Sequence, residues 1–97
     1  MQILIAVPVF NEQRYVKDVL ARIRRLADDV LVVDDGSTDD TFDVSRRCAT
    51  FSLRHLINRG QGAAIQTGID FSLQRGARYV VTFDADGQHC VENIAAM

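Results

Sequence analysis

Four short apolar runs alternate along the chain with segments in which apolar residues recur every three or four positions. Consecutive Val, Ile and Leu residues in a short run predict a strand that is covered on both faces. The runs predict strands at residues 3–7, 29–33, 51–57 and 79–83. We expect the first strand to stop at Pro8, which has no N–H to give to a neighbour. The third has alternating polar positions and is expected at an edge of the sheet.

The segments between the strands predict helices. Asn11 is expected to cap the first helix, a shorter second helix is expected to end near Ala49, and a third follows Gly62. A fourth helix is expected to begin within residues 91–97. The candidate core positions of the first three helices are Val16, Val19, Leu20, Ile23 and Leu26; Phe42 and Val44; and Ile65, Ile69, Phe71 and Leu73.

The resulting order, β-α-β-α-β-α-β-α, predicts a Rossmann-like α/β fold. We expect a parallel sheet of about four strands with right-handed crossovers and helices on both faces. Residues 1–97 contain no internal repeat or linker and form one domain, or part of one. The carboxyl ends of parallel strands share one edge of the sheet, where ligands usually bind. Polar residues follow all four predicted strands, namely Asn11 and Glu12, Asp34 and Asp35, Asn58 and Gly60, and Asp84 and Asp86.

Composition narrows the function classes only slightly. An apolar fraction of 47% and a charged fraction of 25% are ordinary for a globular protein, and a net charge of −2 argues against nucleic acid as the partner. No apolar run approaches the roughly 18 residues of a membrane span, and the amino terminus lacks the basic leader of a signal peptide. Cys48 and Cys90 fit no metal spacing and no disulfide framework, which suggests reduced thiols and a cytoplasmic protein.

The strongest chemical signal is the pair Asp84 and Asp86 after the fourth strand. Two carboxylates this close repel each other, so a compact site needs a cation to hold them. Hard oxygen ligands suit Mg²⁺ or Mn²⁺ carrying a substrate phosphate. A solvated turn is the alternative. His89 either lies beside such a metal site or caps the last helix.

The ends of the first two strands offer groups for a nucleoside. Asp34 or Asp35 could accept a nucleobase N–H, or both could be turn and capping residues. Phe10 could stack on a base or pack on the first helix as a hydrophobic staple. Glu12 could accept hydrogen bonds from ribose hydroxyls or complement the helix dipole.

Gly60 and Gly62 lie at the third strand-to-helix junction, where glycine lets backbone N–H groups approach a phosphate. Close packing against the sheet is the alternative. Neither a P-loop nor a dinucleotide fingerprint is present in the sequence. The Arg59 side chain is expected to point to solvent, and His55 is expected to be structural.

Four segments occur in a recognisable order: VPVFNE (7–12), VVDDGSTDDT (32–41), NRGQGAAIQTGI (58–69) and FDADGQH (83–89). Together they resemble glycosyltransferase family 2, and in particular the bacterial polyprenyl-phosphate, dolichol-phosphate-mannose-synthase-like sugar transferases. The resemblance covers essentially the whole chain. It implies the GT-A fold and a metal-dependent transferase that moves a sugar from a UDP- or GDP-linked donor to a polyprenyl phosphate or a glycan. It also implies a role in cell-envelope polysaccharide biosynthesis, in the cytoplasm or at the cytoplasmic face of the membrane.

The resemblance also implies roles for individual residues. Phe10 would lie against the base, and Asp35 would accept the imide N–H of the base. Mg²⁺ or Mn²⁺ would be held by Asp84 and Asp86, with Asp86 the more direct ligand, and would neutralise the leaving diphosphate. The nucleotide-binding set it implies is Pro8, Phe10, Asn11, Glu12, Asp34, Asp35, Gly60, Gly62, Asp84 and Ala85.

The chain also departs from the family, whose complete domains are more than twice as long. We therefore expect the nucleotide-binding half alone, with no assignable catalytic base, weak nucleotide binding and no turnover. A free edge on the fourth strand would favour self-association. Two other functions stay open: a haloacid-dehalogenase-like phosphotransferase with Asp84 as nucleophile, and a non-catalytic nucleotide-binding or assembly module.

Overall fold

A computed structural model describes residues 3–27 and 29–83, and the backbone of residues 94–96. These residues form a single five-stranded sheet in the order β3-β2-β1-β4-β5, flanked by helices. The elements are β1 (Ile3–Val9), α1 (Val16–Ile23), β2 (Asp29–Asp34), α2 (Thr41–Arg46), β3 (Phe51–Arg54), α3 (Gln61–Gln74), β4 (Tyr79–Thr82) and β5 (Ile94–Ala96).

The four predicted strands pair in parallel, with β1 in the middle of the sheet. β1 pairs with β2 on one side and with β4 on the other, and β3 lies at the edge, as predicted. Successive strands β1, β2 and β3 are thus added on one side of the sheet, and β4 is then added on the other side of β1. Open α/β sheets usually bind ligands at the carboxyl edge beside such a reversal.

The first strand does not stop at Pro8, as the sequence predicted, but continues to Val9. The oxygen of Ala6 accepts a hydrogen bond from Phe83 N–H, on the β4 side of β1. The backbone groups of alternate strand residues point to the same neighbouring strand, so the backbone nitrogen of Pro8 points towards β4, as the oxygen of Ala6 does. β4 ends at Thr82, opposite Ala6, so the proline nitrogen has no ladder partner to lose.

Two apolar layers cover the sheet, one on each face, as the alternation along β1 requires. Helix α1 packs with one layer, and α3 packs with the other. Gly68 brings α3 close to the sheet, since a Cβ at this position would lie 3.0 Å from the Cβ of Ala6. The first layer contains Ile5, Val7, Val9, Val16, Val19, Leu20, Ile23, Val30, Val32 and Val81; the second contains Leu4, Ala6, Leu31, Val33, Ala64, Ala77 and Val80.

Three predictions made for the helices are wrong. Leu26 lies beyond the end of α1 and is 65% exposed, and Leu73 is 48% exposed on α3. The fully covered positions of α3 are the small residues Ala64, Gly68 and Ser72, because the helix lies so close to the sheet. Asn11 does not cap α1, whose N-cap is Tyr15.

The helix predicted for residues 91–97 is also wrong, because 94–96 form β5, which runs antiparallel to β4. Ile-Ala-Ala carries no helix-breaking residue, but pairing satisfies the outer backbone groups of β4, and tertiary context overrides local propensity. The free β4 edge expected from the sequence is therefore covered, and self-association through it loses its basis. Within the ranges given above, no helix is both long and apolar enough to cross a bilayer.

Candidate functional site

A cleft of about 260 Å³ opens at the carboxyl edge of the sheet. It lies between the segment that follows β1 and the start of α3, with Asp35 from the end of β2 in its wall. Its lining residues are Pro8, Val9, Phe10, Glu12, Asp35, Asn58, Gly60, Gln61 and Ala64. Five predicted nucleotide-binding residues thus line one cleft, whereas three others (Asn11, Asp34 and Gly62) lie outside its lining.

Asn11 joins two loops of this edge instead of capping a helix. It adopts a left-handed backbone with φ 49°, a conformation that Asn tolerates better than most residues. Its N–H donates to Ser37 Oγ at 2.9 Å, and its Oδ1 accepts the N–H of Thr38 at 2.9 Å. Next to it, Glu12 N–H donates to Thr41 Oγ1 at 2.8 Å. The β1–α1 and β2–α2 loops are therefore held as one unit.

Asp34 is fully buried and holds the β2–α2 loop. Its Oδ1 accepts the hydroxyl of Ser37 at 2.5 Å, and its Oδ2 accepts the N–H of the same residue at 3.0 Å. The guanidinium of Arg54 lies 3.6 Å from Oδ2 and balances the charge. Both oxygens thus serve the loop, and Asp34 offers nothing to the cleft.

Asp35 is nearly buried, and its carboxylate holds the loop before α3. Its Oδ1 accepts the N–H of Arg59 at 2.9 Å, and its Oδ2 accepts the N–H of Gly60 at 2.8 Å. Burial alone would raise the pKa of Asp35, but these two bonds and one from His55 outweigh it and lower the pKa below its ordinary value of 3.8. The cleft wall therefore carries a negative charge at neutral pH.

His55 is the residue whose part in the site the sequence did not indicate. Its Nδ1 lies 2.8 Å from Asp35 Oδ1, and its Nε2 lies 2.9 Å from Thr67 Oγ1 on α3. The backbone N–H of His55 donates to the backbone oxygen of Asp34 at 2.8 Å. The ring thus links the ends of β2 and β3 to α3. Partners 20 and 12 residues away leave no local pattern in the sequence.

Phe10 and Glu12 form the opposite wall. Phe10 is 41% exposed at the cleft, which leaves its ring available for stacking. Glu12 Oε1 accepts the N–H of Phe10 at 3.1 Å and so fixes the turn that presents this ring.

The two glycines of the third junction occupy different environments. Gly60 is the N-cap of α3, lines the cleft and has φ 99° and ψ 156°, a region essentially restricted to glycine. Gly62 lies in the first turn of α3, where a Cβ would meet nothing within 4 Å.

The predicted metal motif lies outside the described residues, as do Ala85 and His89. The last residue described before it, Phe83, donates its N–H to Ala6 O at 3.0 Å. Phe83 therefore lies just past the carboxyl end of β4, beside β1. Among the residues that the structure describes, no group of three His, Cys, Asp or Glu side chains could hold a metal ion.

The family profile described as glycosyl transferase family 2 matches residues 4–97. The chain belongs to this family. It is 37% identical over 101 residues to an undecaprenyl-phosphate mannosyltransferase of Micrococcus luteus, covering 97% of this chain and 42% of that protein. It is 31% identical over 111 residues to a UDP-N-acetylglucosamine–dolichyl-phosphate N-acetylglucosaminyltransferase of Methanococcus voltae, covering 96% and 44%.

The fold is shared with solved GT-A glycosyltransferases. One is glucosyl-3-phosphoglycerate synthase of Mycobacterium tuberculosis, in complex with Mn²⁺, UDP and glucosyl-3-phosphoglycerate. It superposes with a TM-score of 0.73 at 23% identity, over 87% of this chain and 33% of that one. The family 2 chain described here spans between 37% and 44% of the length of the first curated relatives that it matches.

Proposed function

We propose that this chain forms the nucleotide-sugar-binding part of a glycosyltransferase. The transferase moves a sugar from a nucleoside diphosphate sugar to an acceptor, with the help of a divalent cation. The observation that carries the proposal is the cleft at the carboxyl edge, where Phe10, Asp35 and Gly60 line one cavity. Membership of family 2 supports the same activity.

The chemistry of the cleft suits a nucleoside diphosphate. The exposed ring of Phe10 offers a stacking surface for a base, and Asp35 is an acceptor for a base N–H. Gly60 leads into the amino terminus of α3, which favours negative charge and leaves its first N–H groups without helical partners. A base and a diphosphate could thus be held in the same cavity.

The cation is assigned to Asp84 and Asp86, whose hard oxygen donors are of the kind that Mg²⁺ and Mn²⁺ prefer. β4 ends at Thr82, at the same edge of the sheet as Asp35, and the motif follows Phe83 directly in the sequence, which supports this assignment. When bound, such an ion neutralises the charge that grows on the departing diphosphate. The solved synthase of this fold was crystallised with Mn²⁺ and UDP.

The acceptor class is taken from the curated relatives, whose names specify undecaprenyl and dolichyl phosphates. We propose a polyprenyl phosphate as the acceptor and the cytoplasm, or the cytoplasmic face of a membrane, as the place of action. No described residue of the cleft is assigned as the catalytic base. We propose that the 97-residue chain binds nucleotide without steady release of nucleoside diphosphate, because it spans less than half the length of the relatives it matches. A coupled release assay measures this.

Isothermal titration of the 97-residue chain with UDP and with GDP, each with and without Mn²⁺, tests the proposal. We expect binding that Mn²⁺ strengthens and that Asp86→Ala weakens to the metal-free level. Asp43→Ala is the matched control, because Asp43 is an exposed aspartate of α2 that pairs with Arg46 and lies outside the cleft lining. It should bind like the unsubstituted chain.

Each other outcome points elsewhere. Binding that neither Mn²⁺ nor Asp86→Ala affects would favour a non-catalytic nucleotide-binding module. Incorporation of phosphate at Asp84 would favour the phosphotransferase, against which membership of family 2 argues. Absence of binding to either nucleotide under all conditions would refute the proposal.

A further inference from the structure

His55 and Thr67 form a buried hydrogen-bonded chain with Asp35, and the function proposed so far uses neither of them. Thr67 lies on α3 and holds the far side of the imidazole ring, while the near side contacts the carboxylate in the cleft wall. His55 and Asp35 are both nearly buried, with side chains 8% and 5% exposed. A buried ring with a partner on each nitrogen has one orientation, and it fixes whatever it contacts.

The protons in this chain follow from the donors around Asp35. Two backbone N–H groups, from Arg59 and Gly60, already point at the carboxylate, which is therefore held as an ionised acceptor. An ionised carboxylate cannot donate, so Nδ1 of His55 must carry the hydrogen. Thr67 can donate to Nε2 of the neutral ring or accept from Nε2 of the cation. The bond to Asp35 is thus present in either charge state.

The two oxygens of Asp35 are left unequal by this arrangement. A carboxylate oxygen accepts about two hydrogen bonds. Oδ1 takes two, from Arg59 N–H and from His55 Nδ1–H. Oδ2 takes one from the described residues, from Gly60 N–H, and so keeps capacity for one more. Because Asp35 lines the cleft, a bound ligand can donate one hydrogen bond to Oδ2.

We propose that His55 is a positioning residue that sets the base preference of the cleft, by filling Oδ1 of Asp35 and leaving Oδ2 as its one acceptor for a ligand. This inference rests on the proposed nucleotide-binding function. Uracil presents a single imide N–H between two carbonyl groups and matches one acceptor. Guanine presents two adjacent donors, N1–H and N2–H, which pair best with both oxygens of a carboxylate. The preferred donor is therefore a uridine diphosphate sugar.

The unsubstituted chain gives the first test, by titration with UDP, GDP and 3-methyl-UDP in the presence of Mn²⁺. A hydrogen bond to a charged acceptor corresponds to about ten- to hundred-fold in affinity. We expect UDP to bind tighter than each of the other two by about that factor. Equal affinity for UDP and 3-methyl-UDP, or tighter binding of GDP, overturns the inference.

Variants of His55 separate this preference from the size of the base. His55→Leu removes the donor and frees Oδ1, so the ratio of UDP to GDP affinity should fall towards one. His55→Asn retains an amide N–H close to the position of Nδ1 and should restore the preference. A ratio that stays unchanged in His55→Leu means that cleft size alone selects the base, which overturns the inference but leaves the proposed function intact. Failure of every nucleotide to bind overturns both.

A third test uses the unsubstituted protein without ligand, so it does not depend on whether the variants fold. The ¹⁵N resonances of the imidazole distinguish an Nδ1–H ring, or the doubly protonated ring, from the Nε2–H tautomer. We expect hydrogen on Nδ1. A neutral Nε2–H ring could not donate to Asp35 and would overturn the inference, whatever the variants do.

Discussion

Substitution of Gly36 by alanine should force apart two loops that build the cleft. Gly36 follows Asp35 and has φ +76°, in the left-handed region. A Cβ at this position would lie 2.5 Å from Asn58 N and 2.5 Å from the carbonyl carbon of Ile57. Both contacts are to backbone, so no side chain can rotate away. The segment before Gly60 would have to move.

The loss of stability in Gly36→Ala has two sources, the left-handed backbone and the close contacts of the added methyl group. A left-handed backbone costs an alanine about 1–2 kcal/mol. Forcing a methyl group into a packed site costs about 1–3 kcal/mol. We therefore expect Gly36→Ala to lower the free energy of unfolding by about 2–5 kcal/mol, a large share of the roughly 5–15 kcal/mol of a small domain.

Two other glycines supply matched controls. At Gly60 the backbone is restricted, with φ +99°, but a Cβ would meet nothing within 4 Å, so Gly60→Ala should cost only the backbone part, about 1–3 kcal/mol. At Gly62 a Cβ also meets nothing, and the residue is helical. Gly62→Ala should be neutral or stabilising by up to about 1 kcal/mol.

Urea unfolding followed by far-ultraviolet circular dichroism measures all three variants. Titration with UDP then reports whether Gly36→Ala also weakens binding, as displacement of Asn58 in the cleft lining requires. If Gly36→Ala proves as stable as Gly62→Ala, the close approach of the two loops is wrong, and with it the cleft built on them.

Two further predictions concern the carboxylates of the site. Ser37→Ala removes a hydroxyl that donates to buried Asp34 at 2.5 Å and accepts Asn11 N–H at 2.9 Å, so urea unfolding should show a loss of about 1–3 kcal/mol, and a change near zero would contradict the assignment. Burial would raise the pKa of Asp35, and also that of Asp39, which lies in the β2–α2 loop and accepts the N–H of Thr41 at 2.9 Å, but hydrogen bonds lower the pKa of both below 3.8. Their folded pKa values lie under the unfolded ones, so this stability is present above about pH 4 and lost as pH falls below 3.8. Asp35→Asn should flatten that acid slope of the unfolding free energy, and an unchanged slope would contradict the prediction.

The sequence by itself determined the elements that carry strong local signals. Runs of Val, Ile and Leu in β1 and β2 predict strands that are covered on both faces, and the helical spacing from Val16 to Ile23 predicts the buried side of α1. Strands that alternate with helices require parallel pairing, which gathers Phe10, Asp35 and Gly60 at one edge. The cleft could be predicted for that reason.

Tertiary structure decided what local pattern does not encode. Residues 94–96 form a strand because they pair with the edge of β4 that β1 leaves open. The small residues of α3 face the sheet because Gly68 allows the helix to lie close to Ala6. Asn11 left its expected capping role for hydrogen bonds to a loop 26 residues away. The contact of His55 with Asp35 likewise spans 20 residues. Such contacts depend on which strands become neighbours in the sheet. The spacing of apolar residues predicts only which side of a single segment is buried.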